Sequence, residues 1–133
     1  MKPTLVIGVR AEARHRVVSQ NLLSSILPSA PAVFATPWML CVMETAAAQA
    51  IAPHLDGGEA SVGYGFDFQH LAPTPAGMTV VATAEVTKVD GNMVTLAIEA
   101  RDDREVIGRG THVRAVIDVE RFNRRIKRKS GES

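Results

Sequence analysis

Between Arg16 and Asp56 the chain carries a single formally charged side chain, Glu44, and that residue sits in the middle of a segment that reads as a helix. Thr36-Pro37 marks the start. Threonine is a favoured N-cap, and proline suits the first helical position because an N–H there has no intrahelical partner. The run Trp38–Ala52 follows and Pro53 closes it. Leu40, Val42, Met43, Ala46, Ala47, Ala50 and Ile51 cover more than one stripe of the wheel, and no face collects charge. A helix apolar on every side is predicted to be enclosed on every side.

Only a few partners can enclose a helix so completely. Residues 9–18 read as a first strand, and Ser19–Ala35, with prolines at 28 and 31, as a short helix and an irregular loop. After the long helix everything reads as strand. Val62, Tyr64, Phe66 and Phe68 alternate with Gly63, Gly65, Asp67 and Gln69, the period of a half-buried strand. Ala72–Gly77 is a Pro-rich turn. Val80, Ala82, Ala84 and Val86 alternate next, Asp90-Gly91 signals a hairpin, and Val94, Leu96, Ile98 and Ala100 alternate again. A last strand runs from about Glu105 to Val119, with Ile107, Val113, Ala115 and Ile117 on one face. The expected class is α+β. A strongly curved antiparallel sheet wraps one long central helix, the hotdog arrangement, in a single domain over 1–133. One such unit still has an open side, so a homodimer closed by a two-fold axis is expected.

Composition narrows the function classes. The net charge of +1 offers no case for nucleic acid as partner. The charge is uneven, however: residues 120–133 carry +4, which leaves −3 for residues 1–119. That basic tail reads as a solvated helix or frayed end, or else as an attractor for the polyanionic nucleotide of coenzyme A. The one cysteine, Cys41, cannot form an intramolecular disulfide and is expected to be a small buried hydrophobe. The histidines are scattered and no carboxylate stands beside them at ligand spacing, so neither metal nor cofactor is expected. The N-terminal apolar run is too short for a secretory signal, and Trp38–Ala52 falls below the ~17 residues needed to span a bilayer. A soluble cytoplasmic protein, with no membrane partner, is the expectation.

Three residues are candidates for chemistry. A buried, unpaired Glu44 is costly, and desolvation would raise its pKa, which suits acid–base or nucleophilic work. The competing reading is a neutral, hydrogen-bonded packing group. His70, by parity, shares the face of Val62, Tyr64, Phe66 and Phe68, and so brings an imidazole to the core-facing rim. Thr36 needs no role beyond an N-cap. It stands eight residues from Glu44, or ~12 Å along an ideal helix, so the two could meet only through a folded-back loop or across a dimer interface.

The order of motifs is similar to the fluoroacetyl-CoA thioesterase family. The resemblance rests on Val33-Phe34-Ala35-Thr36, the helix Met39–Pro53 with Glu44, Ser61-Val62-Gly63, His70, and Thr74-Pro75-x-Gly77. It continues through Ile107-Gly108-x-Gly110-Thr111-His112-x-Arg114-Ala115-Val116-Ile117 and ends on Glu120-Arg121-Phe122-Asn123. It implies a Thr–Glu–His catalytic set at Thr36, Glu44 and His70, with Gly63 and Arg114 on the substrate side. The implied reaction is hydrolysis of a short acyl-CoA thioester, with CoA entering as part of the substrate. Glu44 would act as nucleophile or as base for water, and His70 in acid–base steps. A backbone N–H near the helix N-terminus would hold the oxyanion. Where the fluoroacetyl-CoA-specialised member has Phe-Pro in its lid, this chain has Ala30-Pro31. The expectation is therefore the reaction without selection for fluorine.

By parity, His112 and Arg114 lie opposite Ile107, Val113, Ala115 and Ile117. Arg114 is either a solvated strand residue or a ligand for a CoA phosphate, since a guanidinium pairs well with phosphate. His15 and His54 read as surface residues. Two other classes remain open. A hotdog hydratase or dehydratase would hydrate an enoyl-CoA, and a non-catalytic acyl-CoA-binding module would bind CoA esters without releasing thiol.

Overall fold

The computed structural model describes residues 1–131. Five strands, β1 (Arg10–Arg16), β2 (Glu59–His70), β3 (Thr79–Asp90), β4 (Met93–Arg101) and β5 (Val106–Asp118), form one antiparallel sheet in the order β1-β3-β4-β5-β2. The long helix α1 (Thr36–Ile51) lies in its curve, and α2 (Val119–Ser130) leaves the end of β5. This is the hotdog arrangement. The hairpin between β3 and β4 turns on Gly91-Asn92, one position later than the expected Asp90-Gly91, with Gly91 at φ 59°.

Alternation explains the core. Val80, Ala82, Ala84 and Val86 of β3 and Val94, Leu96, Ile98 and Ala100 of β4 are buried against Met39, Met43, Ala46, Ala47, Ala50 and Ile51 of α1. Alanines on both surfaces let helix and sheet approach closely, and each large side chain taken fully out of water adds roughly 1.5–3 kcal/mol. Gly108 serves the same end, because a Cβ there would press on Met39 Sδ at 2.7 Å.

The helix is not enclosed all round, contrary to the expectation. Cys41, Thr45 and Gln49 are exposed, and Glu44 and Ala48 are only half-buried. Five strands reach around one side of α1 and leave a strip uncovered. Cys41 is accordingly an exposed thiol rather than a core hydrophobe.

Two bulges reverse the parity expected for β2 and β5. In β2 the register slips between Gly63 and Gly65, so Tyr64 is pushed out and is 74% exposed. Ser61 and Gly63 therefore share the helix-facing side with Phe66, Phe68 and His70, and Val62 does not. In β5 the slip at Ile107 lets Ile107 and Gly108 both turn inward. From there Gly110, His112, Arg114 and Val116 face α1, while Val113, Ala115 and Ile117 take the outer side. His112 is 0% exposed and Arg114 5%. A one-residue insertion moves every later side chain to the other face.

The segment before α1 is tied down by polar contacts. Buried Asn21 accepts at Oδ1 from Val18 N and shares a 2.9 Å hydrogen bond with His15 Nε2, while its carbonyl accepts from Ala35 N. His15 also stacks on Trp38, with ring centroids 5.8 Å apart, so it is not a free surface residue. His54 shares a 2.7 Å hydrogen bond with Thr4 Oγ1. No helix among the described residues is long and apolar enough to cross a membrane.

Candidate active site

Two polar clusters stand on α1. The first is at its N-terminus. Ala35 is the N-cap and Thr36 the first helical residue, contrary to the expected N-cap role for Thr36. Its hydroxyl does not cap the helix. Instead it shares a 2.8 Å hydrogen bond with His70 Nδ1 at the end of β2. The other ring nitrogen, Nε2, is buried without a partner among the described residues. Desolvation lowers the His70 pKa, offset in part by the Ala72 backbone, so the ring is neutral near pH 7. Thr36, His70, Leu23 and Pro73 help line a cleft of about 350 Å³ at this end.

The second cluster lies two turns along. Arg114 donates from Nε to Ser61 Oγ at 2.9 Å and from Nη2 to Ser61 O at 2.8 Å. Its Nη1 reaches Glu44 Oε2 at 3.2 Å and His112 Nε2 at 3.2 Å. His112 Nδ1 donates to Gly65 O at 2.8 Å, which leaves Nε2 as an acceptor and settles the tautomer. Phe66 stacks on the His112 ring, with centroids 3.8 Å apart. Burial lowers the His112 pKa, the Arg114 charge lowers it further, and Gly65 and Glu44 oppose them. For Arg114, burial lowers the pKa and Glu44 opposes it.

Contrary to the expectation from the sequence, Glu44 is neither sealed nor unpaired. Its side chain is 46% exposed on this chain and rests on a guanidinium. Arg114, with all three nitrogens engaged, is neither a solvated strand residue nor free to grip a phosphate. It rests against a carboxylate. His112 and Arg114, both set on the outer face by simple parity, are the residues of this cluster that sequence reasoning misplaced. The period-two run Gly108-x-Gly110-x-His112-x-Arg114 was the signal, since small and polar residues in step mark a face that something approaches closely.

Gly63 lies under the same carboxylate. A Cβ there would collide with Glu44 Oε2 and come within 3.6 Å of Glu44 Cδ and His112 Cε1. The colliding atom is the tip of a flexible side chain, so the fold can yield cheaply but the carboxylate must move. Gly63→Ala is expected to keep its melting temperature within a few degrees of wild type while activity drops about tenfold or more. Unaltered kinetics would show that the carboxylate position is not critical.

Within one chain the clusters do not meet. Thr36 and Glu44 are ~12 Å apart along the helix. Across the sheet His70 pairs with Gly108 and Gly63 with Arg114, six residues apart on β5, or about 20 Å. Among the described residues no group of three or more His, Cys, Asp or Glu is placed to hold a metal.

The two depressed imidazoles also set an acid limit to stability. The unfolded chain takes up these protons near pH 6.5, whereas the folded chain resists them until a lower pH. Stability is thus expected to fall as pH drops below about 6.5. Thermal melts from pH 7.5 to 5 should show a declining midpoint, with a shallower decline in His112→Gln. A flat wild-type profile would contradict both buried neutral rings.

Known proteins supply the context for this geometry. The sequence profile described as "Fluoroacetyl-CoA-specific thioesterase" (FlK) matches residues 7–120. The fluoroacetyl-CoA thioesterase of Streptantibioticus cattleyicolor is 44% identical over 136 residues, covering 98% of each chain. A solved variant of the fluoroacetyl-CoA FlK in complex with acetyl-CoA superposes with a TM-score of 0.86 at 36% identity, covering 94% of this chain and 98% of that one. A thioesterase-superfamily protein of Thermus thermophilus superposes with a TM-score of 0.90 at 28% identity, covering 98% and 96%. The chain belongs to the fluoroacetyl-CoA-specific thioesterase family.

Proposed function

We propose that the chain hydrolyses short acyl-CoA thioesters to the free acid and CoA, in sites shared by two protomers. One observation carries the reading. A carboxylate and an imidazole are each held on one side, by Arg114 and by Thr36, while on the other the carboxylate is 46% exposed and the imidazole Nε2 has no partner among the described residues. Groups fixed on one side, with a hydrogen-bonding position left unpartnered on the other, are what an acyl-transfer site requires.

In this scheme Glu44 of one protomer attacks the thioester carbonyl, or takes a proton from the water that does. His70 and Thr36 of the other complete the site. The neutral His70 ring presents either a lone pair or an N–H at Nε2, according to which way the Thr36 hydroxyl points, and so serves both proton uptake and release. The developing oxyanion sits at the first turn of α1. There Trp38 N and Met39 N both donate to Ala35 O and Pro37 has no N–H, so the Thr36 N–H, at the positive end of the helix dipole, is the donor that remains for it. Arg114, Gly63 and His112 keep the Glu44 carboxylate in place.

Two features support the dimer. The uncovered strip of α1 is uncharged apart from Glu44, and β2, twelve residues long, is the sheet edge beside it. An unpaired edge of that length invites a second strand. For the acyl group, Ala30 stands in the loop before α1, where the resemblance places a lid aromatic, which favours a wider pocket. The decisive experiment follows thiol release from a panel of short acyl-CoAs, fluoroacetyl-CoA among them. Release from several, with no strong preference for fluorine, is the expected result. Binding without thiol release would replace the hydrolase with an acyl-CoA-binding module.

A further inference from the structure

Phe34 and Ala35, the two residues before Thr36, are buried, and two separate segments hold their backbone. Ala35 N donates to Asn21 O at 2.9 Å, and Phe34 N donates to Thr74 O at 2.8 Å. The second contact comes from the turn after β2, Ala72-Pro73-Thr74-Pro75. Neither proline has an N–H, so this turn has few groups with which to fix itself to the sheet. Thr74 supplies one from its side chain. It is 0% exposed, and its hydroxyl donates to Asp102 Oδ2 at 2.9 Å, 28 residues away. Asp102 is itself fixed, because its Oδ1 accepts from Arg104 N at 2.8 Å and from Glu105 N at 2.9 Å in the turn between β4 and β5. Burial pushes its pKa up, but those two N–H groups and the Thr74 hydroxyl outweigh burial and hold the carboxyl below its ordinary value. At neutral pH it is a carboxylate, and a hydrogen bond to a charged acceptor is about twice as strong as a neutral one.

The turn that Asp102 anchors meets both members of the cluster at the α1 N-terminus. Through Thr74 O it holds the strap that leads into Thr36. Through Ala72, whose backbone opposes the desolvation of the imidazole, it lies against His70. Ala72 and Pro73 also line the cleft beside Thr36 and His70. The 2.8 Å bond between Thr36 and His70 joins a helix start to a strand end, 34 residues apart. Such a bond needs a common support, and this turn is attached to both ends. We propose that Asp102 and Thr74 are positioning residues for the Thr36–His70 pair: the Asp102 carboxylate fixes Thr74, and Thr74 fixes the turn and the strap that set hydroxyl against imidazole. Neither residue touches the substrate. The assignment rests on the thioesterase reading and adds to it what keeps the imidazole aligned.

The test sets Thr74→Val, which keeps the shape and removes the hydroxyl, beside Thr74→Ser, which retains it, with Asp103→Ala as control. Asp103 Oδ1 accepts from Thr79 N at 3.2 Å, so the control cuts a different tie of the same turn and leaves Thr74 alone. With acetyl-CoA as substrate, Thr74→Val is expected to lower kcat about tenfold or more and to keep KM within about twofold, because a misplaced proton-transferring group costs turnover rather than binding. Thr74→Ser should recover most of that loss. Asp103→Ala should keep the wild-type kcat, even where its melting temperature falls as far as that of Thr74→Val. Asp102→Ala should lower kcat as Thr74→Val does, and it stands in where Thr74→Val does not fold. Imidazole NMR signals followed against pH give a readout without turnover. In Thr74→Val the His70 ring should titrate nearer its ordinary value of 6.5, since a looser turn lets water reach it. Unchanged kcat in Thr74→Val, or an equal loss in Asp103→Ala, overturns the proposal. If no thioester is hydrolysed at all, the thioesterase reading fails separately. The NMR titration then decides, and a His70 ring that behaves identically in wild type and Thr74→Val rejects the positioning role.

Discussion

Glu44→Gln is expected to lower kcat by about a thousandfold or more while the protein stays folded. Glutamine keeps nearly the same shape and still offers Arg114 Nη1 an oxygen at the position now 3.2 Å away. The buried guanidinium is then not stranded, and its bonds to Ser61 and His112 persist. What disappears is a carboxylate able to attack a carbonyl or deprotonate water. Glu44→Ala removes the carboxylate and Arg114's partner together, and leaving a buried charge unpaired carries a stability cost of its own. Glutamine is thus the cleaner test, with stopped-assay thiol release as the readout and the melting temperature as control. Wild-type rates in Glu44→Gln would remove the carboxylate from the chemistry.

His70→Ala should cost about a hundred- to a thousandfold in kcat/KM, since it takes away both the proton-transferring ring and the partner of Thr36. Its greater use is in combination. If Glu44 of one protomer works with His70 of the other, mixing inactive Glu44→Ala and His70→Ala chains restores activity. Each heterodimer then contains one site with both native residues. Random mixing is expected to recover about a quarter of wild-type activity, because half the dimers are mixed and half their sites are whole. If instead a single chain supplied both groups, no mixture would recover anything. The intramolecular separation of the two clusters makes recovery the expected result.

Much of this was legible in the residues. The long uncharged helix, the alternating strands after it and the isolated Glu44 led directly to a curved sheet on one helix, and His70 does face inward at the strand end. What failed was parity across irregularities. Tyr64 and Ile107 each add one residue to a strand, and hydrophobic alternation alone does not announce a bulge. His112 and Arg114 were turned the wrong way for that reason alone. The enclosure of α1 was overstated for a different reason. An uncharged surface reads the same whether its own sheet covers it or a second molecule would.

Hydrophobic periodicity, turn residues and the scarcity of charge determined the class of fold and the inventory of reactive groups, because each acts over a few neighbouring residues. Only the tertiary structure decided which groups touch. Arg114 meets Glu44 rather than solvent, Thr36 meets His70 rather than its own helix, and the Glu44 and His70 clusters remain apart on one chain. Those contacts join residues 34 to 70 positions apart in sequence, and register between strands, which no single strand encodes, is what brings them together.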